Sequence, residues 1–373
     1  MKYYIITGEA SGDLHASNLV KALKKLDTDA SFRGWGGERM RDAGTVVVRH
    51  YRDLAFMGFL EVAINILTII SNFRFCKRDI LLYRPDVVIL VDYPGFNLRI
   101  ARYLHQKNIR VFYYISPQLW AWRPSRLKTI KACVDRMFVI LPFEKEFYKN
   151  HDYQVDFVGH PLLDVINEQQ SLPDRRSFLL RNELSDKPIV ALLPGSREQE
   201  IIKMLKVMSA VSRGFPEYQF VIGGVPTVLP HVYSASFREG GLPVVFEQTY
   251  NLLKHSVAAL VTSGTATLET ALMNIPQVVC YKGSYFSFQI ARQVVHVKFI
   301  SLVNLITDKE IVKELIQDQV TSDNLAANLK KILPGTPGRE IMLRDYEILR
   351  DRLGGTGASA RTAELMIQYL AKI

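Results

Sequence analysis

Cysteine is scarce in this 373-residue chain: Cys76, Cys133 and Cys280 are the only three, and they lie far apart. An odd, scattered trio without CxxC spacing argues against a disulfide framework or a structural zinc site. The eight histidines show no HExxH or paired-ligand spacing, so no metal is called for. Long apolar runs are also missing. No stretch of about 20 uncharged apolar residues exists, which argues against a membrane-spanning helix. The opening MKYYIITGEASGD has too short an apolar run for a signal-peptide core and reads as a strand. Reduced thiols and no leader point to the cytoplasm.

What is present suits a folded protein of about two domains, at roughly 150 residues each. Hydrophobic residues make up 48% and charged residues 23%, enough for a core in each domain and ordinary for a globular chain. The net charge of +10 attracts phosphates in general. On charge alone, nucleic acid, anionic lipid and nucleotide-sugar ligands all stay open.

Short apolar runs alternate with helical patterns. Tyr3–Thr7, Val87–Val91, Arg110–Tyr114 and Met137–Leu141 read as strands, with helices expected near Ser17–Leu26 and Leu98–Lys107. Asn97 stands at the expected N-cap of the second helix. Gly159-His160-Pro161 and the loop-like 169–174 break the pattern. The alternation restarts at Ile189–Leu193, Phe220–Ile222, Val244–Phe246, Ala258–Val261 and Val278–Tyr281. Continuous apolar runs between helices indicate buried parallel strands. The fold class is α/β, two Rossmann-like domains facing a central cleft. The boundaries expected are 1–165, 166–340 and a C-terminal helical stretch 341–373, broken at Leu353-Gly354-Gly355.

Four segments carry candidate chemistry. The first turn, Gly8-Glu9-Ala10-Ser11-Gly12-Asp13, is not GxGxxG; it reads either as a ligand loop with Asp13 pointing into the cleft or as a packed turn. Asp92 follows an apolar strand and so belongs at the carboxyl edge of a sheet, where a carboxylate can take a proton from an attacking hydroxyl. The bland alternative is a turn cap before Pro94. Pro194-Gly195-Ser196-Arg197 follows a strand and opens a helix. Free amides at a helix N-terminus bind phosphate, and Arg197 adds a cation, so a diphosphate leaving group needs no metal here. Ser263-Gly264-Thr265-Ala266-Thr267-Leu268-Glu269 is a second such turn, with Glu269 placed to accept from ribose hydroxyls. Ordinary capped helices are the alternative for both.

Two further stretches suggest amphipathic ligands. In residues 59–73, Glu61, Asn65, Thr68 and Asn72 mark one helical face, and the rest is apolar with Arg74, Lys77 and Arg78 following. That reads as a membrane-surface helix, with Ile66, Ile69, Ile70 and Phe73 as lipid contacts, or as a helix buried in its domain. Trp120-Ala121-Trp122-Arg123-Pro124-Ser125-Arg126, with Lys128 and Lys131, sets aromatics beside cations, a mixture used by nucleic-acid proteins and by sites for amphipathic phospholipids or phosphorylated sugars, or forms core beside a solvated face.

These motifs together resemble the lipid-A-disaccharide synthases. The matching blocks are GEASGD (8–13), MGFLEV (57–62), RPDVVILVDYPGFN (84–97), YISPQLWAWRPSR (114–126), LPFEKEFY (141–148), VGHPLLD (158–164), LLPGSREQEI (192–201), SGTATLE (263–269) and SLVNLI (301–306). The resemblance implies a GT-B fold and an inverting transfer. The donor would be UDP-2,3-diacylglucosamine and the acceptor 2,3-diacylglucosamine 1-phosphate (lipid X), with no cofactor. It implies Asp92 as base and Arg197 on the donor diphosphate. Gly195, Ser196, Ser263, Gly264, Thr265, Glu269 and Asn304 would lie around UDP, and Ser11 and Asp13 on the acceptor side. It further implies contact with the inner face of the inner membrane, a final helix that crosses back to the first domain or to a partner subunit, and a possible homodimer. Leu14-His15-Ala16-Ser17 and Gly95 depart from the family's commonest wording. The rival readings are another UDP-sugar enzyme, such as a 2-epimerase-like protein, a basic nucleic-acid-binding protein, and a peripheral membrane scaffold.

Overall fold

The computed structural model describes the chain except for residues 55–65, 123–125, 169–171, 227, 235–240, 284–297 and 372–373. It divides into two compact units, Met1–Asp164 with Leu353–Ile373, and Val165–Arg352. Each is built on one parallel sheet covered by helices, the α/β architecture expected.

The first sheet comprises β1 (Lys2–Ile6), β2 (Ser31–Gly36), β3 (Val46–His50), β4 (Val87–Val91), β5 (Val111–Tyr114), β6 (Arg136–Val139) and β7 (Asp156–Phe157), in the order β3-β2-β1-β4-β5-β6-β7. The second comprises β8 (Ile189–Leu193), β9 (Gln219–Gly224), β10 (Val244–Phe246), β11 (Ser256–Thr262), β12 (Gln277–Tyr281) and β13 (Lys313–Ile316), in the order β10-β9-β8-β11-β12-β13. Every side chain of β4 and β8 is buried, as strands covered on both faces require.

Strand β2 gives no clear signal in the sequence because Arg33, Gly34 and Gly36 interrupt it. Gly34 is needed there: a Cβ would stand 1.9 Å from the Ile5 carbonyl oxygen of β1. Arg33 is held by Asp79, at 3.0 and 2.7 Å from its Nε and Nη2, and Tyr4 donates to the same carboxylate at 2.8 Å. That ties the Ile66–Tyr83 helix to the sheet.

Two helices begin earlier than the turn residues suggest. The first runs Ala10–Leu26, so the glycine-bearing segment after β1 is its first turn. The second runs Pro94–His105, with Pro at its first position and Tyr93 at its N-cap. Asn97 is therefore inside the helix, not at its cap.

The chain leaves the second unit at Leu353, after the Pro337–Arg352 helix, so position 341 falls within a helix of that unit. The Ala358–Ala371 helix then packs on Ala10–Leu26. The Asp164 carboxylate accepts from the Gly357 and Ser359 amides at its N-terminus, where a negative charge suits the helix dipole. Arg361 donates to the Val158 carbonyl at 2.9 Å, and Tyr369 donates to Asp156 at 3.0 Å.

His15 and His160 are both buried in this unit. Burial keeps each imidazole neutral, lowering His15 to about 4 despite the Asp164 charge, and His160, beside His15, to about 3. In an unfolded chain both titrate near 6.5 (roughly). Between about pH 6.5 and pH 4 the unfolded state therefore binds more protons, and stability falls as pH is lowered. We expect thermal unfolding followed from about pH 7 to about pH 4.5 to show a falling Tm, with a slope lessened by roughly one proton in His15→Gln. Equal slopes in the two proteins would contradict this account.

Candidate functional site

In an open α/β sheet, ligands bind beyond the carboxyl ends of the strands where the strand order reverses. In the first unit that point lies between β1 and β4, which are neighbours. The segments leaving them are Thr7-Gly8-Glu9 and Asp92-Tyr93-Pro94. Gly8 permits their close approach, since a Cβ would stand 2.4 Å from the Tyr93 ring.

Asp92 and Tyr93 are both left-handed, with φ of +44° and +48°, a conformation that costs non-glycine residues free energy and persists only where the surroundings enforce it. Here the Tyr113 hydroxyl and Asn97 Nδ2 donate to the Asp92 carbonyl at 2.5 and 2.7 Å, while the Asp92 amide donates to the Tyr114 carbonyl at 3.1 Å. The main chain is thereby fixed, and the half-buried carboxyl group is aimed by it. Burial, and next the negative charge of Glu9, raise the Asp92 pKa to about 6. That suits a group that must take up a proton near neutral pH.

One expectation for the first turn is corrected. Asp13 does not point outward. Its buried carboxylate accepts from the Gly37, Arg39 and Met40 amides at 2.6, 3.1 and 3.2 Å, capping the short Glu38–Asp42 helix. Its oxygens are committed to the fold because a buried carboxylate must be satisfied. Ser11, by contrast, is exposed in the first turn of its helix. Among the aromatics and cations near 120, Lys131 donates to the His151 carbonyl at 2.7 Å and Trp120 packs edge-on against Phe143. Residues 123–125 lie outside the described residues.

In the second unit the order reverses between β8 and β11, also neighbours. The segments leaving these strands are Pro194-Gly195-Ser196-Arg197 and Ser263-Gly264-Thr265. The two candidate anion turns thus stand side by side at one switch point. Each opens a helix, Glu198–Val211 and Thr265–Leu272. Gly195 has φ of +120°, and Arg197 is the exposed N-cap of its helix. The Ser196 amide donates to Glu200 Oε2 at 3.2 Å. Ser263 donates to the Ile300 carbonyl at 2.9 Å, and Thr265 is exposed at the helix start. Glu269 is half-buried and accepts from the Tyr250 hydroxyl at 2.7 Å; burial raises its pKa above the usual carboxylate range.

Asn304 is also corrected. It is fully buried, donating to the Val312 carbonyl and Glu314 at 2.9 and 2.8 Å and accepting from the Ile311 and Val312 amides at 2.8 and 3.0 Å. No hydrogen-bonding capacity remains for a ligand. Glu314 in turn accepts from the Ile300 and Ser301 amides, so this network anchors the peptide that holds Ser263.

On the Ile66–Tyr83 helix, Leu67 is 78% and Ile70 40% exposed, while Ile69 is half-buried. Phe73 stacks on Phe96 at 4.3 Å and belongs to the packed side, not to a lipid-facing one. Asn72, expected on the polar face, is buried. The Ile66 side chain and residues 55–65 lie outside the described residues. Among those described, no helix is long and apolar enough to cross a membrane, and no side-chain cluster could hold a metal ion.

Sequence reasoning missed Tyr113, Tyr250 and Glu200, read Asn97 as a helix cap, and gave Glu9 no part of its own. The only available signal was position: Glu9 and Glu200 lie within a few residues of strand ends, but which ends are neighbours depends on the strand order.

The family model for lipid-A-disaccharide synthetase matches residues 3–354. A lipid-A-disaccharide synthase from Syntrophus aciditrophicus is 40% identical, over 99% of this chain and 97% of that protein. Similar solved structures include S. aureus MnaA with UDP, at 14% identity and TM-score 0.69, covering 100% of this chain and 97% of that one. A calicheamicin glycosyltransferase, CalG4, has 16% identity and TM-score 0.61, covering 100% and 98%. At such identities these last two show the fold alone.

The Asp92 carboxyl should titrate near the value of about 6 when followed by carboxylate-selective NMR. Glu9→Gln removes the adjoining negative charge and should move that titration downward. An upward or absent shift would show that Glu9 does not act on Asp92.

Proposed function

The chain belongs to the lipid-A-disaccharide synthase family, and from that membership we propose that it transfers 2,3-diacylglucosamine from UDP to the 6-hydroxyl of 2,3-diacylglucosamine 1-phosphate. The product is a β-1′,6-linked disaccharide, formed with inversion, together with UDP. The observation that carries this reading is the family match over residues 3–354. Each unit agrees with it by itself: one switch point bears a carboxyl on a left-handed peptide, with its pKa raised to about 6, and the other bears two adjoining glycine-containing turns at helix starts.

Asp92, deprotonated, accepts the proton of the acceptor hydroxyl as its oxygen attacks the anomeric carbon. The bond from that carbon to the diphosphate oxygen breaks, and its electron pair leaves with UDP. The amides of Gly195, Ser196 and Thr265 and the Arg197 guanidinium stabilise the charge that collects on the phosphate. Their fixed dipoles favour the anion without a metal. Glu269, steadied by Tyr250, accepts from the ribose hydroxyls. Ser263 and Gly264 shape the second turn, and Ser11 stands on the acceptor side. Asn304 acts behind the site, through the peptide that secures Ser263.

Both substrates carry acyl chains, so the enzyme works at a lipid surface, the cytoplasmic face of the inner membrane. Leu67 and Ile70 supply exposed apolar contact, and Arg74, Lys77 and Arg78 follow on the same helix for anionic headgroups. The fold is equally that of 2-epimerases; the family match over residues 3–354 is what favours the synthase.

Asp92→Asn should lower turnover by about 10²–10⁴-fold while leaving UDP affinity unchanged, scored as disaccharide formed from the diacylated UDP-sugar and lipid X. The wild-type kcat/KM should fall as pH drops through about 6, where Asp92 is protonated. Full turnover by Asp92→Asn would remove it as the base. Leu67→Gln combined with Ile70→Gln should reduce sedimentation with anionic vesicles without a loss of Tm, and undiminished vesicle binding would discard the membrane role.

A further inference from the structure

Glu200 is not needed for the transfer just described, yet its carboxylate lies in the first anion turn. Oε2 accepts the Ser196 amide at 3.2 Å. The same atom lies against the bare Cα of Gly195, where a Cβ would stand only 2.2 Å away. The turn is therefore shaped to seat an oxyanion oxygen over Gly195 and Ser196. The left-handed φ of +120° at Gly195 and the missing side chain both serve that seat. Glu200 is half-buried and three residues beyond the N-cap Arg197, so it reaches back along its own helix.

A brace for one amide needs only a neutral acceptor. A carboxylate brings a full negative charge to the place where a diphosphate is to bind, and one amide hydrogen cannot serve two oxyanions at full strength. We propose that Glu200 is an internal competitor for the donor phosphate. Its carboxylate and a UDP phosphate oxygen exchange for the Ser196 amide and the seat over Gly195, which weakens UDP binding and speeds UDP release after transfer. This rests on the donor-turn reading above and adds to it a residue that sets product affinity. No bond is made or broken; the step is an exchange of hydrogen-bond acceptors.

The test is calorimetric titration of UDP into the full-length protein. Glu200→Gln keeps a side-chain acceptor for Ser196 but removes the charge. It should bind UDP about tenfold more tightly with Tm within about 2 °C of wild type. Under steady-state turnover its inhibition constant for UDP should fall by the same factor, and kcat at saturating donor should fall where UDP release limits. Glu200→Asp, which keeps the charge but withdraws it by one methylene, should tighten UDP by a smaller factor, and it decides the matter if Glu200→Gln loses stability. Unchanged or weaker UDP binding in stable variants would overturn the proposal and make Glu200 a turn brace. A wild-type protein that binds no UDP would instead overturn the donor-turn reading, and this inference with it.

Discussion

The burial of strands β4 and β8 on both faces constrains everything else in the molecule. Val87–Val91 and Ile189–Leu193 have no exposed side chain, so a polar group along either strand would be costly without a buried hydrogen-bond partner. The candidate polar residues stand instead just beyond the apolar run. Asp92 and the Pro194–Arg197 turn occupy those positions. The strand order then decides their company: β1 beside β4 brings Glu9 near Asp92, and β11 beside β8 brings Ser263–Thr265 near Gly195–Arg197.

A second tier of residues supports the first without being available to a ligand. Tyr113 and Asn97 fix the strained peptide at Asp92, Asp13 gathers three amides of the neighbouring turn, and Asn304 with Glu314 secures the peptide behind Ser263. Asp13 and Asn304 looked like ligand residues because they are polar and lie within motif blocks. Burial reverses that inference: inside the protein a polar side chain must spend its hydrogen bonds on the fold. The same logic withdraws Phe73 from a lipid-facing role, since its ring is used against Phe96.

The sequence made most of the central strands legible, because five apolar residues in a row between helical patterns admit few other readings. It did not reveal β2, where Gly34 is dictated by the Ile5 carbonyl and Arg33 by Asp79, both distant in sequence. Helix starts were misplaced for a local reason. Gly, Ser, Asp and Pro mark both turns and first helical turns, and only tertiary closeness, such as Tyr93 against Gly8, decides between them. Asp92, Gly195, Ser196 and Glu269 were legible as candidates from their expected places at strand and helix ends, and the structure puts them at such ends. Glu9 and Tyr250 were not, because their relevance exists only once the strands are ordered.

Charge is arranged at two ranges. The net charge of +10 draws anions toward the protein over a distance limited by salt, about 8 Å at physiological ionic strength. At the two turns and beside Asp92 the arrangement is the opposite, for Glu9, Glu200 and Glu269 all place carboxylates close to where, on the proposed function, ligands arrive. Near Asp92 the added negative charge makes the carboxyl a stronger base. At the first turn, on the exchange proposed for Glu200, it limits how tightly a phosphate can be held. A transferase must stabilise the diphosphate charge as it forms and then let the product go. Amides and a guanidinium alone would favour the first demand at the expense of the second. A carboxylate close enough to exchange for the same amide, the role proposed for Glu200, meets both, because it would weaken the bound product while leaving the fixed dipoles in place for the next transfer.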